Sequence, residues 1–297
     1  MKLQEQRTTS TPSPRILTAE DVCEMLRPRP VDAHKGMMGH ALLVAGSQGM
    51  AGAAILASKS CLHSGIGKLT VHTASANNVI LQCTVPEAIL HGDRNEKTVT
   101  ECLPTQTYQA AGMGPGLGTD EATAESLKQY LHTCKAPMVL DADALNILAQ
   151  HEDWVKHIPS GTILTPHVGE FERLTHKCAN HQERVLVAKA YAETNNLYIV
   201  LKGHPSIVCT PEGELLACPY GNNGMATPGS GDVLTGLITG LLAQGYTSYQ
   251  SAILGVWIHA LAGDAAAKDL GEEYMLAGDI VTHIIHAYRQ LKSYLSR

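Results

Sequence analysis

Short, mainly apolar runs recur along this chain: Ala41 to Ala45, Leu69 to His72, Gln109 to Met113, Met138 to Leu140, Thr162 to Leu164 and Leu197 to Leu201. Runs of this length, bounded by Gly, Pro or Asp, predict strands buried on both faces. Longer stretches of mixed polarity separate them and predict helices over Ala51 to His63, Asp120 to His132 and Gln182 to Thr194. Ser206–Cys209 and Glu214–Cys218 flank Pro211-Glu212-Gly213, a hairpin signal. From Asp232 the pattern is helical to the end, with breaks at Gly245-Tyr246-Thr247 and near Gly271. At the other end, Thr18-Ala19-Glu20-Asp21 reads as a capping box before a short helix, Val22 to Leu26, and a Pro/Arg linker follows. The Thr/Ser/Pro-rich stretch Thr8 to Pro14 reads as a mobile tail.

This alternation predicts an α/β fold, a parallel sheet with helices on both faces. No internal repeat or domain boundary interrupts it. The expectation is one domain over residues 31–297, preceded by a tail and short helix over residues 1–30. Ligands of such folds bind beyond the carboxyl ends of the strands. That rule picks out Gly46, Gly114, Asp141, His167 and Lys202, each just past a predicted strand end.

Composition narrows the partners. With one Phe and two Trp in 297 residues, the core must be aliphatic. A net charge of -6 without a Lys/Arg cluster argues against a nucleic-acid partner. The 8 cysteines form no Cys-x-x-Cys pair, which fits free thiols in a reducing cytoplasm. No apolar run approaches the ~20 residues of a membrane span, and the N-terminus lacks a signal-peptide pattern. The 15 histidines include no His-Glu-x-x-His and no zinc spacing. His283 and His286 share a helical face and read as ordinary surface or core residues.

Candidate chemistry concentrates in Asn222 to Asp232, where a small-residue loop opens an apolar helix. Helix N-termini present unpaired N–H groups and positive partial charge, and glycines let an anion approach them closely. A carboxylate beside a bound phosphate is electrostatically unfavourable, so Asp232 suits proton abstraction. The plainer alternative is an N-capped helix after a glycine loop.

Gly112 to Gly118 lacks the G-x-G-x-x-G spacing and reads as a ligand-approach loop or a tight turn. Gly65 to Leu69 fails as a P-loop, because Leu62 and Leu69 occupy required Gly and Ser/Thr positions. Asp143 is placed to cap a helix, Asp141 to face the ligand edge. His167 offers hydrogen bonds, and Glu170 a carboxylate suited to hydrated Mg²⁺. Lys202 is either a phosphate partner or a solvated charge.

Six motifs in order carry a resemblance: His34-Lys35-Gly36 with Gly39-His40, Gly49 to Ala53, Gly114 to Gly118, Asp141 to Leu145, Thr165 to Glu170, and Asn222 to Gly236. Together they resemble the ADP/ATP-dependent NAD(P)H-hydrate dehydratases over about residues 30 to 290. The resemblance implies a ribokinase-like fold without a separate lid domain, often a homotetramer, in the cytoplasm. Its substrates would be hydrated NADH or NADPH (NAD(P)HX) and ADP or ATP, with Mg²⁺. It assigns Asp232 as the catalytic base and Gly229, Ser230 and Gly231 as the phosphate loop. Ala53, Gly118, His167 and Asp232 would contact the dinucleotide. Lys202, Gly203, His204, Pro205, Ser206 and Gly231 would contact the nucleotide, and Glu170 would hold Mg²⁺ through water. Pro228 departs from the Gly of many members and lacks an N–H, which leaves phosphate to the amides of Gly229 to Gly231. The epimerase half often fused to such proteins has no counterpart in this sequence, implying a separate epimerase. A vitamin or sugar kinase of the same superfamily is the alternative. It would share Asp232 without needing Thr165-Pro166-His167 or Gly49 to Ala53.

Overall fold

The computed structural model describes residues 13–295. Most of the stretch Thr8 to Pro14 lies outside the described residues. In chain order the elements are β1 (Arg15–Ile16), α1 (Ala19–Cys23), β2 (His40–Val44), α2 (Ala51–His63), β3 (Lys68–Thr73), α3 (Asn78–Thr84) and β4 (Ile89–Gly92). There follow β5 (Ala110–Met113), α4 (Glu121–Thr133), β6 (Met138–Leu140), α5 (Ala142–Gln150), β7 (Ile163–Leu164), α6 (Val168–Leu174) and α7 (His181–Asn195). The chain ends with β8 (Tyr198–Leu201), β9 (Ser206–Cys209), β10 (Leu215–Cys218), α8 (Ser230–Ala243), α9 (Ser248–Leu270) and α10 (Ala277–Leu295).

The described strands form one sheet in the order β1-β10-β9-β8-β7-β6-β5-β2-β3-β4. From β8 across to β4 every pairing is parallel, and only β9 runs against its neighbours. The run Ala41 to Ala45 shows why its pattern is unbroken. Ala41, Leu43 and Ala45 enter the core under α2 and α8 to α10, while Leu42 and Val44 enter the core under α4 to α7. Period-2 alternation thus sends apolar side chains into both layers.

Three elements escape the sequence pattern. β1 has two exposed residues and pairs with β10, while β4 is a half-exposed edge strand. α3 buries only Leu81. The first helix also differs: the capping box is present, but it makes Thr18 the N-cap, so α1 starts at Ala19 and ends at Cys23 rather than running from Val22 to Leu26.

The direction of strand addition reverses at β2, which pairs with β3 on one side and β5 on the other. Crevices open at such reversals. Here the two loops that flank the crevice are joined: Gly46 N–H donates to Pro115 O at 2.9 Å and Ser47 N–H to Gly116 O at 2.6 Å. Across the layer, α2 and α8 pack closely because Gly236 and Gly240 face the backbone of Ala57 and Cys61, with no room for a side chain. That packing sets the N-terminus of α8 beside α2 and above the strand ends.

Candidate active site

The five strand-end residues selected from the sequence all lie just beyond their strands at one sheet edge. Asp141, Lys202 and Glu170 are drawn together there. Lys202 Nζ donates to Asp141 Oδ1 at 2.7 Å and lies 3.6 Å from Glu170 Oε2. Asp141 does not stand open to a ligand, being 1% exposed, and its other oxygen accepts from Thr235 Oγ1 of α8 at 2.7 Å. Nor does Asp143 cap α5 with its side chain. Asp141 occupies the N-cap position, and Asp143 instead accepts the Gly118 N–H at 2.8 Å, fixing the 114–118 loop.

The loop before α8 turns through Gly229, whose φ of +92° belongs to the left-handed region. Its open side abuts Leu56 of α2. Gly231 is small for a different reason: a Cβ there would stand 3.0 Å from Lys202 Nζ. The ammonium therefore sits against the first turn of α8, where the N–H groups of Ser230, Gly231 and Asp232 begin the helix.

Asp232 shares that turn. Burial and then Asp141 push its carboxyl up to about 7, with Lys202 pulling the other way and Asp143 and Glu170 adding repulsion. Burial alone would lower Lys202, but Asp141 and Glu170 hold it above its ordinary value. Asp141, Glu170 and Asp232 thus all act on one ammonium, an excess of negative charge that fits a hydrated divalent cation such as Mg²⁺.

His167 is the N-cap of α6. Its Nδ1 accepts from Gly169 N–H at 3.0 Å, so in the neutral ring Nε2 carries the proton, and Nε2 lies 3.2 Å from Glu170 Oε1. Glu170 returns the favour by accepting the His167 N–H at 2.8 Å, which completes a capping box with an unusual first member. The imidazole is half exposed beside the site. Ala53 lies on the first turn of α2, where a Cβ on Gly116 would stand 3.0 Å from its own. Ala53 and the Gly118 loop therefore share one wall of the crevice. Gly203 to Ser206 form the β8–β9 turn, closed by Ser206 Oγ donating to Gly203 O at 3.0 Å. That turn adjoins the start of the α8 loop, since a Cβ on Gly221 would lie 3.7 Å from His204 Nδ1.

Among the described residues, the other histidines do not form a second centre. His72, His91 and Glu101 cluster within 4.8 Å, but both nitrogens of His72 are taken, by Tyr130 Oη at 3.0 Å and Asp93 Oδ2 at 3.1 Å. His283 is engaged by Asp279 O and Asp269. Three residues that sequence reasoning missed touch the site's framework: Thr235, His259 and Asp264. The available signal for the last two was a pair of polar residues inside the apolar stretch Ile253 to Ala267, since buried polar groups need partners.

The raised Asp232 carries a stability consequence. An aspartate ionises near 3.8 in the unfolded chain and near 7 here, so the fold favours the protonated acid. Stability from this site is full below pH 4, declines between 4 and 7, and is lost above 7. Allowing for solvent screening, Asp232→Asn should stabilise the ligand-free protein by on the order of 2 kcal/mol at pH 8. Urea unfolding at pH 8 and pH 4 measures this, and equal stabilities of variant and parent at pH 8 would contradict the raised value.

Residues 41–286 match the family described as NAD(P)H-hydrate dehydratase. The chain is 36% identical over 291 residues to the ADP-dependent (S)-NAD(P)H-hydrate dehydratase of Neisseria meningitidis serogroup B, spanning 95% of this chain and 94% of that protein. It is 35% identical over 288 residues to the bifunctional NAD(P)H-hydrate repair enzyme of Moorella thermoacetica, covering 94% of this chain but 54% of that protein. The chain thus spans about half the length of the bifunctional relatives it matches. The structure of the ADP/ATP-dependent NAD(P)H-hydrate dehydratase from Bacillus subtilis, co-crystallized with ATP and Mg²⁺, matches with a TM-score of 0.79 at 30% identity, over 92% of this chain and 97% of that one. The ribokinase-like fold expected from the sequence is the fold observed. The chain belongs to the NAD(P)H-hydrate dehydratase family.

Proposed function

We propose that this protein dehydrates hydrated NADH and NADPH back to the reduced dinucleotides, with ADP or ATP consumed as co-substrate. The observation that carries the reading is Asp232 in the first turn of α8, its carboxyl raised to about 7, beside the Gly229 to Gly231 amides. A base of that strength is matched to neutral pH. Asp232 takes the proton of the hydrate's hydroxyl, and the freed oxygen attacks the terminal phosphorus of the nucleotide. The P–O bond to the leaving nucleotide breaks, giving AMP from ADP or ADP from ATP. The phosphorylated hydrate then expels phosphate, with loss of a neighbouring ring proton, and the carbon–carbon double bond returns.

The amides of Gly229 to Gly231 hold the transferring phosphoryl, and Lys202 adds positive charge beside Gly231. Lys202, the Gly203 to Ser206 turn and Gly231 face the nucleotide, while Ala53, Gly118 and His167 face the dinucleotide. Glu170 would hold Mg²⁺ through water, and the ion when bound would neutralise phosphate charge. The reading extends to a homotetramer in the cytoplasm, working together with an NAD(P)H-hydrate epimerase activity. No described helix is long and apolar enough to cross a membrane. The deciding assay adds hydrated NADH and ADP or ATP to the protein and follows the absorbance of the reduced ring. Accumulation of a stable phosphoester without recovery of NADH would instead identify a small-molecule kinase.

His167 gives a sharper test because its cap and substrate roles separate. His167→Ala should lose about 1 kcal/mol of stability through the missing cap. His167→Asn keeps a capping oxygen and should keep that stability. Both should weaken hydrated dinucleotide several-fold, about one hydrogen bond's worth, and ADP or ATP less. Equal weakening of both ligands, read by calorimetry, would move His167 to the nucleotide or the metal.

A further inference from the structure

Helix α9 buries an imidazole against the phosphate loop. His259 is 9% exposed, and its Nε2 stands 3.0 Å from Ser230 O and 3.3 Å from Ser230 Oγ. A carbonyl oxygen has no proton to give, so Nε2–H is the donor. Burial pushes the imidazole down to about 4, which leaves it uncharged at neutral pH. It acts there as a dipole of fixed direction, not as a cation.

The identity of the acceptor matters. Ser230 O belongs to the peptide whose N–H is that of Gly231. Helix geometry leaves the Gly231 N–H without an intrahelical partner, whereas the Ser230 N–H already reaches Thr227 O at 3.3 Å. A hydrogen bond accepted at a carbonyl draws density towards its oxygen and makes the N–H of the same peptide a stronger donor. The other end of the loop is tied to the same helix: Asp264 accepts the Gly221 N–H at 3.1 Å and Asn222 Nδ2 at 2.9 Å. Asn222 in turn accepts the Gly224 N–H at 3.0 Å. Both ends of the loop are thereby referred to one rigid element, α9.

We propose that His259 is a positioning residue for phosphoryl transfer, fixing and polarising the Ser230–Gly231 peptide so that the Gly231 amide meets the transferring phosphoryl as a strengthened donor. This rests on the nucleotide-driven dehydration proposed above. Negative charge on the phosphoryl oxygens is redistributed during transfer, so a stronger donor acts on the rate more than on nucleotide affinity.

The test compares His259→Phe, which fills the volume without a donor, with His259→Gln, whose side-chain amide nitrogen reaches the place of Nε2. His259→Phe should lose roughly 10- to 100-fold in kcat, as supporting partners of a reactive group commonly do, with the nucleotide KM changed by no more than about threefold. His259→Gln should recover most of the loss at a matching melting temperature. The Gly231 amide nitrogen shift should move upfield in the Phe variant and return in the Gln variant, a change that a purely structural role would not produce. If the Phe variant fails to fold, His259→Asn takes its place, since its shorter amide stops short of Ser230 and predicts the same loss. Wild-type kcat in a donor-free variant, or equal impairment in the Gln and Phe variants, overturns the proposal. A parent protein without nucleotide-driven repair would instead remove the functional reading, while the Gly231 shift would still report on the polarising bond.

Discussion

Asp232→Asn is expected to fold, bind nucleotide and lose about 10²- to 10⁴-fold in turnover, the usual contribution of a general base. The amide keeps the shape of the first turn of α8 but cannot accept the hydroxyl proton. The electrostatics that argue for the role also fix its pH dependence. Only ionised Asp232 can act as base, and burial with the neighbouring Asp141 raises its carboxyl to about 7. For the parent protein, kcat/KM should rise with pH through 7 and level off above it. Below 7 it should fall close to tenfold per pH unit, and the residual rate of Asp232→Asn should lack this limb. The same substitution should make the ligand-free protein more stable at pH 8, so lost activity and gained stability should appear together. That combination separates a base kept under electrostatic strain from a structural helix cap, whose loss would destabilise. Retention of more than half of the parent kcat would remove Asp232 from this role.

The sheet was legible because its central strands are buried on both faces, which makes most of them mainly apolar runs. β1 and β4 were not, for the same reason reversed. A two-residue exposed strand and a half-exposed edge leave no pattern in the sequence. The strand-end residues could be placed without coordinates, since topology alone puts Asp141, His167 and Lys202 at one edge. Their partners could not. Thr235 reaches Asp141 across 94 positions, Asp264 reaches Asn222 across 42, and His259 reaches Ser230 across 29. Nothing local records such pairings. Asp143 shows a subtler limit: its position after a strand fits a helix cap, yet the adjacent loop offered a better donor in the Gly118 N–H. His167 shows the converse, as a histidine in the N-cap role that Ser, Thr, Asp and Asn usually fill.

Repair is expected to consume nucleotide stoichiometrically, with one phosphate released for each hydrate returned to reduced dinucleotide. Expelling water from the hydrate needs a better leaving group than hydroxide, and phosphate is one. The site holds the groups for making it. Gly229 to Gly231 open a helix N-terminus, Lys202 lies against Gly231, and Asp232 stands in the same turn with a carboxyl raised to about 7. An allosteric activator would need none of these beside the reacting hydroxyl. In a purely regulatory site, an acid set beside Asp141, Asp143 and Glu170 would only repel the bound phosphates. A nucleotide analogue that cannot transfer its terminal phosphoryl should therefore bind with affinity close to that of the natural nucleotide. It should lower the repair rate below about 1% of the rate with ADP or ATP, consistent with removal of a covalent step rather than of a binding contact. Phosphate release and recovery of the reduced-ring absorbance, followed in one sample, should rise in a ratio of one to one. Full-rate repair with the analogue would sink the phosphorylation route and reduce the α8 loop to a regulatory site, leaving the raised carboxyl of Asp232 without a use.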